Sequence, residues 1–298
     1  MSWLIFALFP PFIFSINGFI NKILVNQIKN PLIITAFMGI ISLFLGVILL
    51  AFTGFTIIPI RDLAIILFSG LMLNFYLLPY FRALMLDDNS RIAPFFQLIT
   101  VFTILMSYLF LGEYLTSQQS IGVLVIVVGA FLLSMKNLEL GVLMPRKSLW
   151  LMALSSLMYA ITNVTFKEVS IHQPHVTTFA YQSIGIGIGA LLMLVSKPLS
   201  TTLRADIKKF TPLVWLLLAA VTTISITAQL SLSYALTLAP ASFVSIAGAS
   251  QPFFVLCIGI LLSVLAPAIL KEDMKRSTLI IKAVSIGIMF FGIYLVYS

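Results

Sequence analysis

Apolar residues run along this chain in blocks of about twenty, the length a helix needs to cross roughly 30 Å of hydrocarbon. Ten such blocks predict helices over residues 3–25, 32–53, 62–84, 91–111, 119–135, 148–168, 176–195, 212–236, 241–265 and 279–297. The breaks between them carry turn chemistry or charge: Lys29-Asn30-Pro31, Pro59-Ile60-Arg61-Asp62, Asp87-Asp88-Asn89, Lys136 to Lys147, and Lys271 to Arg276. The first block begins at Trp3 with no Lys or Arg ahead of it and runs almost to Lys22. That is too long for the apolar core of a secretory signal, so it is read as a retained first span.

The pattern repeats. Asn30-Pro31-Leu32-Ile33-Ile34-Thr35 aligns with Gln173-Pro174-His175-Val176-Thr177-Thr178, and the same register sets Gly46 on Gly189. Further on, Ala83-Leu84-Met85-Leu86 matches Ala235-Leu236-Thr237-Leu238, Ser90 falls on Ser242, and Asn17…Lys22 corresponds to Asn163…Lys167. The expected architecture is an all-α integral membrane protein of ten transmembrane helices in two five-helix repeats, residues 1–140 and 141–298, forming one membrane domain. An odd number of spans per copy makes the second copy enter the membrane from the opposite side, and inverted copies meeting at the midplane are a construction many secondary transporters use.

Composition sharpens this picture. The chain of 298 residues is 61% apolar and only 9% charged, which excludes a soluble surface. The net charge of +8 lies between apolar runs, where it meets lipid headgroups and sets topology rather than binding nucleic acid. The single cysteine, Cys257, sits in an apolar run and offers no disulfide framework. No Walker-type loop is present, which argues against an ATP-driven pump. The expected partners are a small-molecule substrate and membrane lipid, in a monomer or homodimer, with no cofactor.

Polar residues inside apolar spans carry the chemistry, because lipid cannot satisfy them. Asn17 and Asn21 lie four apart on one face of span one. Span six carries Ser155, Tyr159, Thr162 and Asn163; span three carries Asn74, Tyr76, Tyr80 and Arg82. Gln97, Thr100 and Ser107 mark span four, Ser225, Gln229 and Ser233 span eight, and Ser242, Ser245 and Gln251 span nine. The candidates for a substrate-binding cavity are Asn17, Asn21, Asn74, Tyr76, Tyr80, Arg82, Gln97, Thr100, Tyr159, Asn163, Gln229 and Ser245. Each has a bland alternative, since a membrane Ser or Thr bonds the carbonyl four residues back or a neighbouring helix. Arg82 is either a clamp for a carboxylate or phosphate or a structural partner of Asp87 or Asp88. Lys22 and Lys167 read as headgroup anchors, and Pro94, Pro240 and Pro252 as starts or kinks of spans four and nine that free carbonyls.

The run Leu109-Phe110-Leu111-Gly112-Glu113-Tyr114-Leu115-Thr116, with Gly122…Gly129 after it and the paired Ala83-Leu84 and Ala235-Leu236, resembles the drug/metabolite transporter superfamily, EamA-like branch. The resemblance covers nearly the whole chain. It implies a secondary transporter with a central cavity walled by spans one, three, four, six, eight and nine, and substrates such as amino acids, nucleotide-type metabolites or drugs. It also implies a multi-pass protein of the bacterial inner membrane. The chain departs from the pattern in copy two, where the Gly-Glu turn is replaced by a charged loop from Ala268 to Ser277, so Glu113 has no obvious twin.

The expected function is export or exchange of small polar metabolites, amino acids or related compounds, by alternating access. A flippase for a lipid-linked sugar or another headgroup is the nearer rival. An intramembrane enzyme is the farther one, because His172 and His175 share a loop with no acidic cluster, no H-E-x-x-H or G-x-S-x-G is present, and no metal-ligand spacing occurs. All nine acids lie at or near predicted span ends, with Glu113 and Glu168 nearest to a coupling role. Orientation divides the two lines of reasoning. Of the seventeen Lys and Arg, with Arg82 set aside as intramembrane, fourteen fall in loops after odd-numbered spans and only Arg61 and Lys167 fall opposite, which sets the termini outside. The family resemblance implies termini in the cytoplasm.

Overall fold

The computed structural model describes residues 2–87, 89–134, 147–195, 207–208, 210–265 and 276–297. The helices are α1 (Ser2–Gln27), α2 (Pro31–Phe52), α3 (Ile60–Phe75), α4 (Leu77–Leu86), α5 (Asn89–Ile92), α6 (Gln97–Leu111), α7 (Ser117–Ser134), α8 (Lys147–Ser170), α9 (His175–Val195), α10 (Pro212–Leu238), α11 (Ala241–Gly248), α12 (Gln251–Leu265) and α13 (Arg276–Tyr297). A 3-10 turn, Ala93–Phe96, joins α5 to α6. Among the described residues, seven stretches are long and apolar enough to cross a membrane: Trp3–Gln27, Pro31–Phe52, Ile60–Leu86, Lys147–Ser170, His175–Val195, Pro212–Leu238 and Ala241–Ser263. Shorter apolar helices, Gln97–Leu111, Ser117–Gly129 and Ala283–Tyr297, fall on the other three predicted blocks. The connection expected between the repeats and the charged loop from Ala268 lie mostly outside the described residues.

Local chemistry sets the boundaries. Asn30 caps α2 by accepting from the Leu32 amide at 3.1 Å, and Pro31 occupies the first helical position, where its missing N–H costs nothing. Thr211 and Pro212 open α10 in the same way. Gly112, at φ +66°, ends α6 in the left-handed conformation that glycine adopts without a Cβ penalty. Span three bends at Tyr76, between α3 and α4, with Pro79 inside the new first turn. Span nine breaks at Ala249-Ser250, two residues before Pro252.

In lipid there is no hydrophobic drive between helices, so close packing falls to small residues. A Cβ on Gly70 would lie 2.2 Å from the Gln182 carbonyl, and one on Gly185 would lie 2.4 Å from the Leu67 carbonyl, so α3 and α9 touch backbone to backbone. Gly46 does the same for α2 on α9, where Gly39 and Gly187 make room for side chains, and Gly122 with Gly292 does so for α7 on α13. Around the centre stand α1, α3–α4, α6, α8, α10 and α11–α12: α1 packs on α10, α11 and α12, while α8 packs on α3, α4 and α6. Phe44, Leu109, Leu124, Trp150, Leu216 and Phe291 are exposed on the outside, as a lipid-facing surface requires. The Trp3 and Tyr297 rings meet at a tilt with centroids 5.9 Å apart, so the start of α1 and the end of α13 lie at one end of the bundle.

Candidate functional site

Two helix breaks line one space in the bundle, and side chains from neighbouring helices donate to backbone carbonyls at both. The Ser155 hydroxyl donates to the Tyr76 carbonyl at 3.0 Å, at the bend of span three. The Thr100 hydroxyl donates to the Ser245 carbonyl at 2.9 Å and Gln97 Nε2 to the Ala249 carbonyl at 3.1 Å, at the break of span nine. In α1, Pro10 has no N–H for the Phe6 carbonyl, which instead accepts from Ser231 Oγ at 2.9 Å.

Between these breaks lies a cavity of about 90 Å³. Asn17 and Asn21 reach it from α1, Tyr159 and Asn163 from α8, and Tyr76 and Tyr80 from the bend of span three. Thr100 and Ser245 close it from α6 and α11. Asn17 Nδ2 donates to Ser225 Oγ at 2.6 Å, and Asn21 Nδ2 to the Tyr80 hydroxyl at 3.4 Å. The Tyr76 and Tyr159 rings meet edge to face, 5.0 Å apart. Asn17, Asn21 and Asn163 are each at most 5% exposed, and the Oδ1 of each has no protein partner. A buried polar atom left this way costs about 1–3 kcal/mol, a cost a ligand donor removes. The described lining residues include no Asp, Glu, Lys, Arg or His.

Eight of the twelve sequence candidates therefore share one space, and the remaining four sit elsewhere. Gln229 lines an adjoining cavity of about 60 Å³ and reaches the first through its Oε1, which accepts from the Tyr159 hydroxyl at 2.9 Å. Asn74 lies in the α2–α3–α9 contact, where its Nδ2 donates to the Thr35 carbonyl at 3.4 Å. Gln97 supports the span-nine break and does not line the cavity. Arg82 is exposed near the end of α4, outside both cavities.

The apolar lining escaped the sequence reading. Pro10, Pro11 and Phe14 of α1, Met38 of α2 and Phe96 ahead of α6 all face the cavity. Apolar residues are equally at home against lipid, so hydropathy alone does not separate the two faces. The double proline in α1 was the available signal for a break in regular packing there.

Several of the described span-end charges are tied to backbone or to a neighbouring side chain. Lys22 Nζ donates to the carbonyls of Leu84 (2.8 Å) and Asp87 (2.9 Å); Lys167 Nζ donates to those of Leu236 (2.8 Å) and Ala239 (3.0 Å). Both lysines thus close the C-terminal ends of helices, beyond the headgroup role expected of them. Glu113 caps α11: Oε1 accepts from the Ala241 amide at 2.8 Å, and Oε2 from the Ser242 amide at 2.9 Å and its hydroxyl at 2.7 Å. At that same end Arg61 pairs with Glu168 at 2.7 Å, and Gln173 Nε2 donates to Asp62 at 2.8 Å.

Comparison with known proteins follows the same outline. A family model described as the EamA-like transporter family matches residues 1–135. A Sinorhizobium protein described as "Uncharacterized transporter in cobO 3'region" is 33% identical over 137 residues, which are 45% of this chain and 96% of that protein. An uncharacterized protein of Methanocaldococcus jannaschii is 29% identical over 135 residues, 45% of this chain and 97% of its own length. A solved structure described only as "Crystal structure of protein" superposes with a TM-score of 0.63 at 15% identity, over 97% of this chain and 95% of the other. That likeness is one of fold.

Proposed function

The chain belongs to the EamA-like transporter family of membrane proteins that carry small molecules, and on that premise we propose that it is a secondary transporter moving small polar metabolites of no net charge, amino acids foremost, by alternating access through the central cavity. One observation carries the reading: three buried asparagine oxygens stand unpaired around a space whose described walls bear no charged side chain. A phosphorylated sugar or an unpaired anion would enter that space with no counter-charge, at a high desolvation cost. A zwitterion or neutral polar molecule brings donors for the asparagines and needs no fixed ion.

The reading includes ten spans in two inverted copies and a place in the bacterial cytoplasmic membrane. Three matched features support the copies. The paired lysines close paired helix ends, at Leu84 and at Leu236. Thr35 and Thr178, aligned by the repeat, each donate to the carbonyl of the aligned proline at 3.0 Å. Finally, the two curated relatives are matched over nearly their whole length by less than half of this chain, as a single copy would be.

A thermal-shift screen of the purified protein against neutral amino acids, nucleosides and phosphorylated sugars tests the substrate class. A ligand at about 100 times its Kd stabilises the native state by about 2.7 kcal/mol. Neutral amino acids are expected to raise the melting temperature. A rise with phosphorylated sugars alone would overturn this assignment.

A further inference from the structure

Glycines packed between the spans are dictated by helix contact, as at Gly187, where a Cβ would lie 2.3 Å from Leu43. Gly248 is not. A Cβ added there meets no atom within 4 Å, and the residue lies in the regular helix α11, so neither packing nor backbone conformation demands glycine. The open space beside it is the central cavity, which Gly248 lines together with Asn17, Asn21 and Asn163. Pro252, four residues on, has no N–H, so the Gly248 carbonyl lacks the donor that a continuous helix would supply.

We propose that Gly248 is the position that sets substrate size in this cavity. Its missing side chain leaves room for the bulk of the bound molecule, and its carbonyl accepts a hydrogen bond from it alongside the three unpaired asparagine oxygens. The substrate is then a small, net-uncharged molecule with several N–H or O–H donors, and its upper size is fixed at the break of span nine. This inference rests on the reading of the cavity as the transport site. A Cβ at 248 meets no atom within 4 Å, so a side chain added there enters substrate space at its first carbon.

The test is a series, Gly248→Ala, Gly248→Val and Gly248→Phe, with Gly187→Val as a packing control and Asn163→Leu as a cavity control. Each variant is purified for thermal melting and reconstituted into proteoliposomes. Counterflow is then measured with radiolabelled glycine, alanine, serine, leucine and phenylalanine. The Gly248 variants are expected to melt within about 2 °C of wild type, a shift worth less than about 1 kcal/mol. Their transport is expected to fall in order of substrate size: Gly248→Ala loses the largest substrates at least tenfold while keeping the smallest, and Gly248→Phe loses all of them. A melting loss like that of Gly187→Val, or a loss unrelated to substrate size, overturns the proposal. If Asn163→Leu abolishes transport while Gly248→Phe keeps the wild-type range, the size filter fails and the cavity reading survives. If both transport normally, the cavity reading itself fails. A wild type that carries none of the panel contradicts the substrate class stated here.

Discussion

Asn163 is 3% exposed, its Oδ1 has no protein partner, and it sits in a span where lipid offers none. Burying a carboxamide this way costs about 1–3 kcal/mol, so a purely structural role would be a net loss. Asn163→Leu is expected to hold or raise the melting temperature while cutting transport at least tenfold; melting and counterflow on the same preparation check both. Tyr159→Phe behaves differently. It strands Gln229 Oε1, which accepts from the Tyr159 hydroxyl at 2.9 Å, and is expected to destabilise the protein by about 1–3 kcal/mol. At this scale the sequence told which residues were polar but not which way each pointed. Asn74 and Asn17 look alike in a hydropathy trace, and both leave Oδ1 unpaired, yet Asn74 lies in the α2–α3–α9 contact and Asn17 lines the cavity.

Helix α11 is eight residues long and owes much of its definition to one carboxylate. Glu113, at the end of α6, takes two amides and a hydroxyl at its N-terminus, where a negative charge also meets the positive end of the helix dipole. Glu113→Ala is expected to lower stability by about 1–3 kcal/mol, with Glu113→Gln intermediate because one acceptor oxygen remains; chemical denaturation or thermal melting of the purified variants checks the order. An Ala variant as stable as wild type would leave the cap without energetic weight. The Gly-Glu turn stood out in the sequence as a motif, but its partner at Ala241-Ser242 did not, because the contact spans more than a hundred residues. Element existence was legible from apolar run length. The breaks were legible only in part: Pro94, Pro240 and Pro252 flagged spans four and nine, while the bend at Tyr76 comes before Pro79, which drew no attention in a leucine- and aromatic-rich run.

At the scale of the molecule, the antiparallel run of helices gathers both termini at one end with Arg61, Glu168 and Lys167, as the Trp3–Tyr297 contact requires. That end carries few basic residues, so by the positive-inside rule it is expected on the side away from the cytoplasm. Paired reporter fusions at Ser298 are expected to be active in the exported form and silent in the cytoplasmic form. The reverse result would reinstate the orientation implied by the family resemblance. The proposed repeat rests on turn residues and small residues that keep register through 143 positions, from Asn30-Pro31 to Gln173-Pro174. Its copies differ inside the cavity, where Tyr76 and Tyr80 have no aromatic counterparts in span eight, so symmetry alone did not locate the lining. The most direct measurement of the central claim is counterflow of neutral amino acids in proteoliposomes, comparing wild type with Asn17→Leu and Asn163→Leu. The account predicts saturable uptake by wild type and at least a tenfold loss in both variants, with folding intact by thermal melting. Wild-type uptake by both folded variants would contradict it.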